Sequence, residues 1–536
     1  MTPRDLAAAR YPQVSLPAGS FDAPSGPIGG RDPLAGLADL PRKGQLDVLC
    51  LRPIHHVLEY EALYRLLASL REWAPALVLH LHLRSSLRDD APFALLPAHR
   101  VTRLAGRSGR GELAADFRRL ARRPEPGAPA LVLAPPAGWR RVVAGAVHSA
   151  PLGFRTPGCD SPECAAAAER FLAALYRETP LWRVAEDAPP PLLPRAAAHR
   201  FLIHQSRFQS GDALWLTPLL RALHTLFFRP LITLVVPPVA SRVLARNPYI
   251  TELVPYHPRE GEAGRRRVLD ALAGASFDTA LFAFARHRES RWLAQAMATA
   301  GVPRRVNLEY HNASLDTGRP WDLVTHEGWL FRGTLSSPQF LLHALDPLLP
   351  AGSARTEDDA LALQVSPTAQ WRVDEILAEQ GIGDRPFALL APGGEASPRW
   401  PAARFARLAA TLAGELGLTV LVEGSAGEAP LLQQIAAAAA HPAVRARQDV
   451  LEIFAALLTR ARLLVANDGA AIHFAAALGA PALYFAQRER LVPSHPRSSS
   501  CWALYDDLDN DPHRISSEAA LGAVREMVRR GVVRVD

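Results

Sequence analysis

Lysine is nearly missing from this 536-residue chain: Lys43 is the only one, and arginine makes up the rest of 60 basic residues. The resulting net charge of +7 leaves a surface suited to anionic partners such as phosphates, nucleotides or membrane headgroups. Cysteine is scarce too. Cys50, Cys159, Cys164 and Cys501 are too few for a disulfide framework in a protein of this size. Cys159 and Cys164, in GCDSPEC, are close enough to share a metal with a further ligand such as His148. Their spacing matches no common zinc knuckle, so two unpaired thiols are expected. No apolar run is long and charge-free enough to span a bilayer. The N-terminus, MTPRDLAAARYPQVSLPAGS, lacks the basic start and apolar block of a secretory signal, so a cytoplasmic location is expected. No basic stripe interleaved with aromatics is present, which argues against a nucleic-acid partner. No short-period repeat is evident either.

What is present is the composition of a globular protein, 49% hydrophobic, in a chain too long for one core. Residues 1–44, rich in Pro, Gly, Ala and Asp without a sustained period, read as a disordered or loosely docked arm. An appended α/β domain follows at 45–187, with strands at Leu46–Leu51, Ala76–Leu83 and Ala130–Ala134 and helices at Tyr60–Trp73 and Cys164–Tyr176. The proline-rich stretch 188–199 reads as a linker. Two further α/β units are expected at 200–354 and 355–536, a pair of Rossmann-like domains facing a cleft. Thr317 to Ala354, broken by Gly and Pro, reads as a looser region between them.

The densest information lies between His204 and Pro258. The apolar run Arg200–His204 leads through Ser210-Gly211-Asp212 into a helical pattern of Leu214, Thr217, Leu220, Leu223, Leu226 and Phe227, then a strand at Leu231–Val236. In doubly wound folds, ligands bind where loops leave the carboxyl ends of such strands. The ordinary reading is that Gly211 permits a turn and Asp212 caps the helix. Two loops of the same kind recur later. Strand Phe387–Ala391 runs into Pro392-Gly393-Gly394 and on to Arg399-Trp400-Pro401, where small residues let backbone N–H groups approach a phosphate and a basic side chain balances its charge. Strand Leu463–Ala466 runs into Asn467-Asp468-Gly469 and His473, and Glu423-Gly424-Ser425-Ala426-Gly427-Glu428 ends a strand between them. Singly, each has a bland reading: a turn, a cap, a first-turn histidine, a packing tryptophan. Their order and spacing carry the argument.

Taken together, residues 200–536 resemble the lipopolysaccharide heptosyltransferase family, glycosyltransferase family 9. The likeness rests on Gly211, Asp212, Thr217, Pro218 and Arg221, and on Asn247–Ile250. It also rests on Pro392, Gly393, Arg399, Trp400 and Pro401, and on Asp468, His473, Ala475–Gly479 and Pro481. The resemblance implies a GT-B fold and inverting, metal-independent transfer of a heptose or similar sugar from a nucleotide sugar, such as ADP-heptose, to an acceptor hydroxyl. No cofactor is implied. Asp212 would be the general base; its ordinary pKa of about 3.9 means it needs close positioning or an upward shift. Pro392, Gly393, Gly394, Arg399, Trp400, Glu428, Asp468, Gly469 and His473 would bind the donor, Glu428 at the ribose. Gly211, Arg207, Arg286 and Arg288 would serve the acceptor, a surface glycan, lipid-linked or protein species, with peripheral contact at the inner membrane. Three positions depart from the family pattern: Pro398 stands where relatives carry lysine, Gly469-Ala470 replaces Thr-Gly, and Arg207 lies one place nearer Gly211. The rival expectation is a non-catalytic protein that keeps the fold to bind a nucleotide sugar or a partner. A sugar-nucleotide epimerase or dehydrogenase is disfavoured, because no G-x-G-x-x-G fingerprint follows an early strand.

Overall fold

The structure is a computed structural model. It describes residues 43–54, 63–85 except 65, 69 and 73, 95–103, 127–133, 145–150 and 181–184. From 191 onward it describes all but 207–208, 284–286, 311–322, 331–334, 351–352, 354–355, 357, 395–398, 488–493, 497, 506–510 and 535–536. The expected arm up to residue 42, the helix at 164–176 and the pair Cys159 and Cys164 lie outside the described residues.

Three sheets follow one another along the chain. The first joins β1 (Lys43–Ile54), β2 (Ala76–Ser85), β3 (Arg100–Arg103), β4 (Gly127–Leu133) and β5 (Gly145–Ala150) in the order β3-β2-β1-β4-β5. Every neighbouring pair is parallel. Leu46, Val48, Leu77, Leu79 and Leu81 are buried, as are Leu63, Leu66, Leu67 and Leu70 of the helical stretch between β1 and β2. Asp47 alternates with Leu46 and Val48 and so faces the other way, where it is also buried. There Asp47 Oδ1 lies 3.0 Å from His82 Nε2 and accepts from Gln45 Nε2 at 3.3 Å.

The second sheet holds β6 (Leu181–Val184), β7 (Arg200–His204), β8 (Leu231–Val236), β9 (Glu252–Pro255), β10 (Thr279–Ala283), β11 (Arg304–Tyr310) and β12 (His326–Leu330). Their order is β6-β12-β11-β10-β7-β8-β9, with β6 antiparallel to β12 and all other pairs parallel. The helices that accompany it are α1 (Ser210–Leu214), α2 (Thr217–Leu226), α3 (Pro238–Leu244), α4 (Gly261–Leu272) and α5 (His287–Thr299). After β12 come α6 (Ser337–Leu342) and α7 (Pro367–Glu379). The third sheet joins β13 (Phe387–Ala391), β14 (Thr419–Gly424), β15 (Val444–Gln448), β16 (Leu463–Asn467), β17 (Ala482–Phe485) and β18 (Cys501–Leu504). It is wholly parallel, in the order β15-β14-β13-β16-β17-β18. Its helices are α8 (Ala402–Leu416), α9 (Ala429–Ala439), α10 (Leu451–Leu458), α11 (Ala470–Leu478) and α12 (Ser517–Arg529).

Set aside β6, and the second and third sheets share the doubly wound order 3-2-1-4-5-6, whose direction reverses between its first and fourth strands. Those reversal points fall between β7 and β10 and between β13 and β16. Both faces of the central strands are covered, so β7, β10 and β16 read as unbroken apolar runs rather than alternating ones. On one face Leu202, Val235, Ala280 and Phe282 meet Val268, Leu293 and Met297 from α4 and α5. On the other, Ile203 and Leu281 meet Leu219, Leu220 and Leu223 of α2, and that layer continues without a break to Leu389, Leu457 and Leu464 of the third sheet. Thr217 and Arg221 of α2 help make this join. Thr217 Oγ1 accepts from Ala362 N at 3.0 Å, and Arg221 Nη2 bonds Ala360 O at 2.9 Å and Asp358 Oδ1 at 3.0 Å.

Two expectations need correction. The proline-rich stretch is no free linker over its described part. Arg304 Nη2 donates to Pro191 O at 2.7 Å and Phe228 N to Arg195 O at 2.9 Å, while β6, ahead of the stretch, already belongs to the second sheet. The looser region at 317–354 contains β12 and α6. HEGWL was inconspicuous because its polar residues His326 and Glu327 are buried in a sheet rather than exposed in a loop.

Candidate active site

At the middle sheet's reversal point, β7 gives way to Gln205 and Ser206 and then to α1. Gln205 is fully buried and its Nε2 donates to Asp212 O at 2.9 Å, tying the strand end to the short helix. Asp212 is not the cap of that helix. The capping position is Gln209, and Asp212 is buried in the first turn. The glycine before it has a different duty from the turn expected of it. A Cβ on Gly211 would stand 2.7 Å from His473 Cδ2 and 3.0 Å from Ala470 Cα, so Gly211 exists to let α1 press against α11 of the other domain. On the same contact, Trp215 Nε1 points at His473 Nδ1 at 3.4 Å, with the two rings edge to face at 5.3 Å and 89°. Asp212, expected as the base, and His473, expected on the donor side, therefore sit on two helices in direct contact.

The loop after β13 is built by small residues. Gly394 has φ of 111°, a conformation only glycine adopts readily, and its N–H donates to Glu428 Oε1 at 3.2 Å. A Cβ on Gly393 would fall 1.7 Å from that same oxygen, and one on Gly424 2.9 Å from Glu428 Oε2. Glu428 also accepts from Ser425 N and Ser425 Oγ, both at 2.8 Å. Its carboxylate thus braces the loops after β13 and β14. Asn467, at the end of β16, holds the loop at both ends: its Nδ2 donates to Pro392 O at 2.7 Å and its Oδ1 accepts from Trp400 N at 2.8 Å. Trp400 itself is buried beneath the loop. Its Nε1 donates to Ile515 O at 2.7 Å, and its ring stacks on Phe485 at 4.0 Å. Arg399, next to it, is exposed, and no described residue pairs with it.

The loops after β13 and β16 touch. A Cβ on Gly394 would meet Asp468 O at 3.3 Å, while one on Gly469 would come no nearer than 3.8 Å to any described residue. Asp468 and His473 are both buried. Behind His473, burial and the nearby His473 ring push His495 down to about 3, and its Nδ1 is hydrogen-bonded to Tyr484 Oη. Of the expected acceptor residues, Arg207 and Arg286 lie outside the described residues; Arg288 falls in α5, its side chain outside them.

Three residues of the site had not been singled out. Asn467 stood inside a quoted loop, but its two bonds join positions far apart in the chain. Trp215 lies beside Leu214 of the apolar helix pattern but was not part of it. Glu423 could have been noticed as an acid in an otherwise apolar strand, TVLVEG. It is buried at the carboxyl end of β14, and burial first, then the neighbouring Asp449, pushes its carboxyl up to about 8. Among the described residues, no group of three or more His, Cys, Asp or Glu side chains gathers as metal ligands would.

Residues 354–509 match the model of glycosyltransferase family 9 (heptosyltransferase). The matched stretch runs across the third sheet, from ahead of β13 to just past β18. Among solved structures, a glycosyl transferase family 9 protein from Veillonella parvula DSM 2008 aligns at 19% identity and a TM-score of 0.53, covering 62% of this chain and 97% of its own. The E. coli ADP-heptose lps heptosyltransferase II aligns at 21% identity and a TM-score of 0.50, covering 62% of this chain and 99% of its own. These likenesses show the fold, two facing Rossmann-type domains of the GT-B arrangement. No curated protein matches the chain.

Proposed function

We propose that this chain, whose residues 354–509 form a glycosyltransferase family 9 domain, transfers a heptose or similar sugar from a nucleotide sugar to an acceptor hydroxyl, with inversion. The observation that carries the reading is the seating of α1 on α11. It brings Asp212, at the middle sheet's reversal point, against the helix that starts at the other reversal point. In the reaction, the acceptor oxygen forms a bond to the anomeric carbon as the bond to the nucleoside diphosphate breaks, and the hydroxyl proton passes to Asp212. The departing diphosphate lies at the glycine-built loop 392–394, where the exposed Arg399 balances its charge. Asn467 and Trp400 hold that loop in shape before the donor arrives. No metal or cofactor enters this scheme. ADP-heptose is the donor suggested by the family, and a surface glycan, lipid-linked or protein acceptor is its counterpart. Among the described residues no helix is long and apolar enough to cross a membrane, so contact with the inner membrane would be peripheral.

One observation favours the non-catalytic alternative, a protein that binds a nucleotide sugar or a partner. The Glu428 carboxylate, expected at the ribose, is already engaged by Gly394 and Ser425. A ribose must displace those bonds or bind elsewhere. Two measurements separate the readings. A thermal-shift panel of nucleotide sugars identifies any that bind the folded state, because such ligands raise its melting point. Product analysis then follows for each that binds. Asp212→Asn should lower turnover by about 10²–10⁴-fold while the melting point and donor-induced shift persist. Binding without transfer in the unaltered protein would establish the alternative.

A further inference from the structure

We propose that Trp215 is a positioning residue: from the middle domain it fixes the orientation and tautomer of His473 in the C-terminal domain. The inference rests on the transferase reading given above, but its physical core can be tested without turnover. Indole has a single N–H and no acceptor, so the contact at 3.4 Å requires His473 Nδ1 to act as the acceptor. A neutral imidazole with Nδ1 unprotonated carries its hydrogen on Nε2. The other tautomer would set two N–H groups face to face in a buried contact. The ring is held on a second side as well. Its Cδ2 edge lies where a Cβ on Gly211 would be only 2.7 Å away, so α1 leaves no room for the imidazole to shift toward it. Trp215 and His473 are each 5% exposed, and their perpendicular rings are packed edge to face at 5.3 Å.

The consequence is a link between the lobes. Trp215 follows Asp212 by three residues, so both lie on one side of the short turn of helix. A neutral His473 with hydrogen on Nε2 is a donor suited to an anionic oxygen such as a phosphate. The Trp215 contact that pins the ring in that form exists only while α1 rests on α11. Separating the lobes releases the ring at the same moment that it withdraws Asp212. The donor-side histidine and the acceptor-side carboxylate are therefore set by one helix.

Two variants separate positioning from packing. Trp215→Phe keeps an aromatic edge and removes only the N–H; Trp215→Leu removes both. In protein with isotope-labelled histidine, the ring nitrogens of His473, assigned by their loss in His473→Gln, should report the Nε2–H tautomer alone. In Trp215→Phe they should report a mixture of tautomers, with a melting point close to that of the unaltered protein. Turnover number should fall about tenfold, the effect of one neutral hydrogen bond, with little change in KM for the acceptor. Trp215→Leu should show the same mixture and a further loss. If Trp215→Phe retains the single tautomer, or if its turnover number stays within twofold, the proposal is wrong. Should the unaltered protein transfer no sugar at all, the transferase reading fails while the tautomer comparison still decides the role of Trp215.

Discussion

The middle and C-terminal sheets have the same strand order but fill their reversal points with opposite materials. After β7 the middle domain places buried polar residues, Gln205 and Asp212, with Gln205 Nε2 donating to Asp212 O. After β13 the C-terminal domain places glycines, with Gly393 making room for the Glu428 carboxylate and Gly394 bending the backbone. One point carries a buried carboxylate; the other carries a backbone bend that needs glycine. The same winding can therefore serve two halves of a transfer reaction, because the sheet fixes only where the loops emerge.

Both domains bury neutral histidines, but the C-terminal sheet also buries a neutral carboxyl, and that difference can be broken by titration. Burial pushes His204 of the middle sheet down to about 4, and burial with Arg304 does the same to His326. Their folded pKa values lie below the ordinary 6.5, so the unfolded chain takes up protons first and stability is lost as pH falls from 6.5 toward 4. Glu423 of the C-terminal sheet works the other way. Its folded pKa of about 8 lies above the ordinary 4.5, so stability is fully present below 4.5 and declines as pH rises toward 8. Ionising it costs up to about 5 kcal/mol by linkage. Glu423→Gln should abolish most of the alkaline decline in denaturant midpoint between pH 5.5 and 8.5, leaving the acid decline intact. Equal alkaline losses in the two proteins would mean that Glu423 is ionised in the fold.

A second pair of variants sharpens the contrast between crowding and room. Gly211→Ala drives a methyl into His473 and the backbone of Ala470, and neither can retreat cheaply. A loss of about 1–3 kcal/mol in stability is expected, typical of overpacking, with at least a tenfold fall in turnover as α1 and α11 separate. Gly469→Ala is the control, since its φ of 174° is ordinary extended backbone and its nearest neighbour is 3.8 Å away. Unfolding curves and rates for both proteins test this. Equal effects at the two positions would refute the claim that Gly211 is a contact glycine.

Much of this arrangement was legible before any coordinates. β7, β8, β13 and β17 begin and end where their apolar runs do; the loops singled out after β7, β13 and β16 leave strand carboxyl ends at a reversal point, and the one after β14 leaves the neighbouring strand. Edge strands were harder to see. VRARQ of β15 is only half buried, and RVTR of β3 has no apolar run to mark it. The site was legible as a set of loops but not as a set of bonds. Gly211 has its neighbour 262 positions ahead, in His473, and no local pattern encodes such a pairing. Trp400 and Glu428 were expected to face the donor, yet they brace its loop, because a loop of small residues cannot hold itself in place.

That bracing leads to the mildest of the expected effects, and to the clearest division between support and contact. Asn467 is the only side chain among the described residues that bonds both ends of the loop from Pro392 to Trp400. Asn467→Ala leaves a buried carbonyl and a buried N–H unpaired, and should cost about 1–3 kcal/mol in the unfolding free energy. Asn467→Asp retains an acceptor for Trp400 N but loses the donor to Pro392 O, so it should fall between alanine and the native residue. If the loop's shape is what the donor reads, affinity for the nucleotide sugar should weaken in the same order as stability, with the chemical step unchanged at saturating donor. An Asn467→Ala protein that loses stability but binds the donor normally would show that the loop is shaped by Trp400 and Glu428 without it.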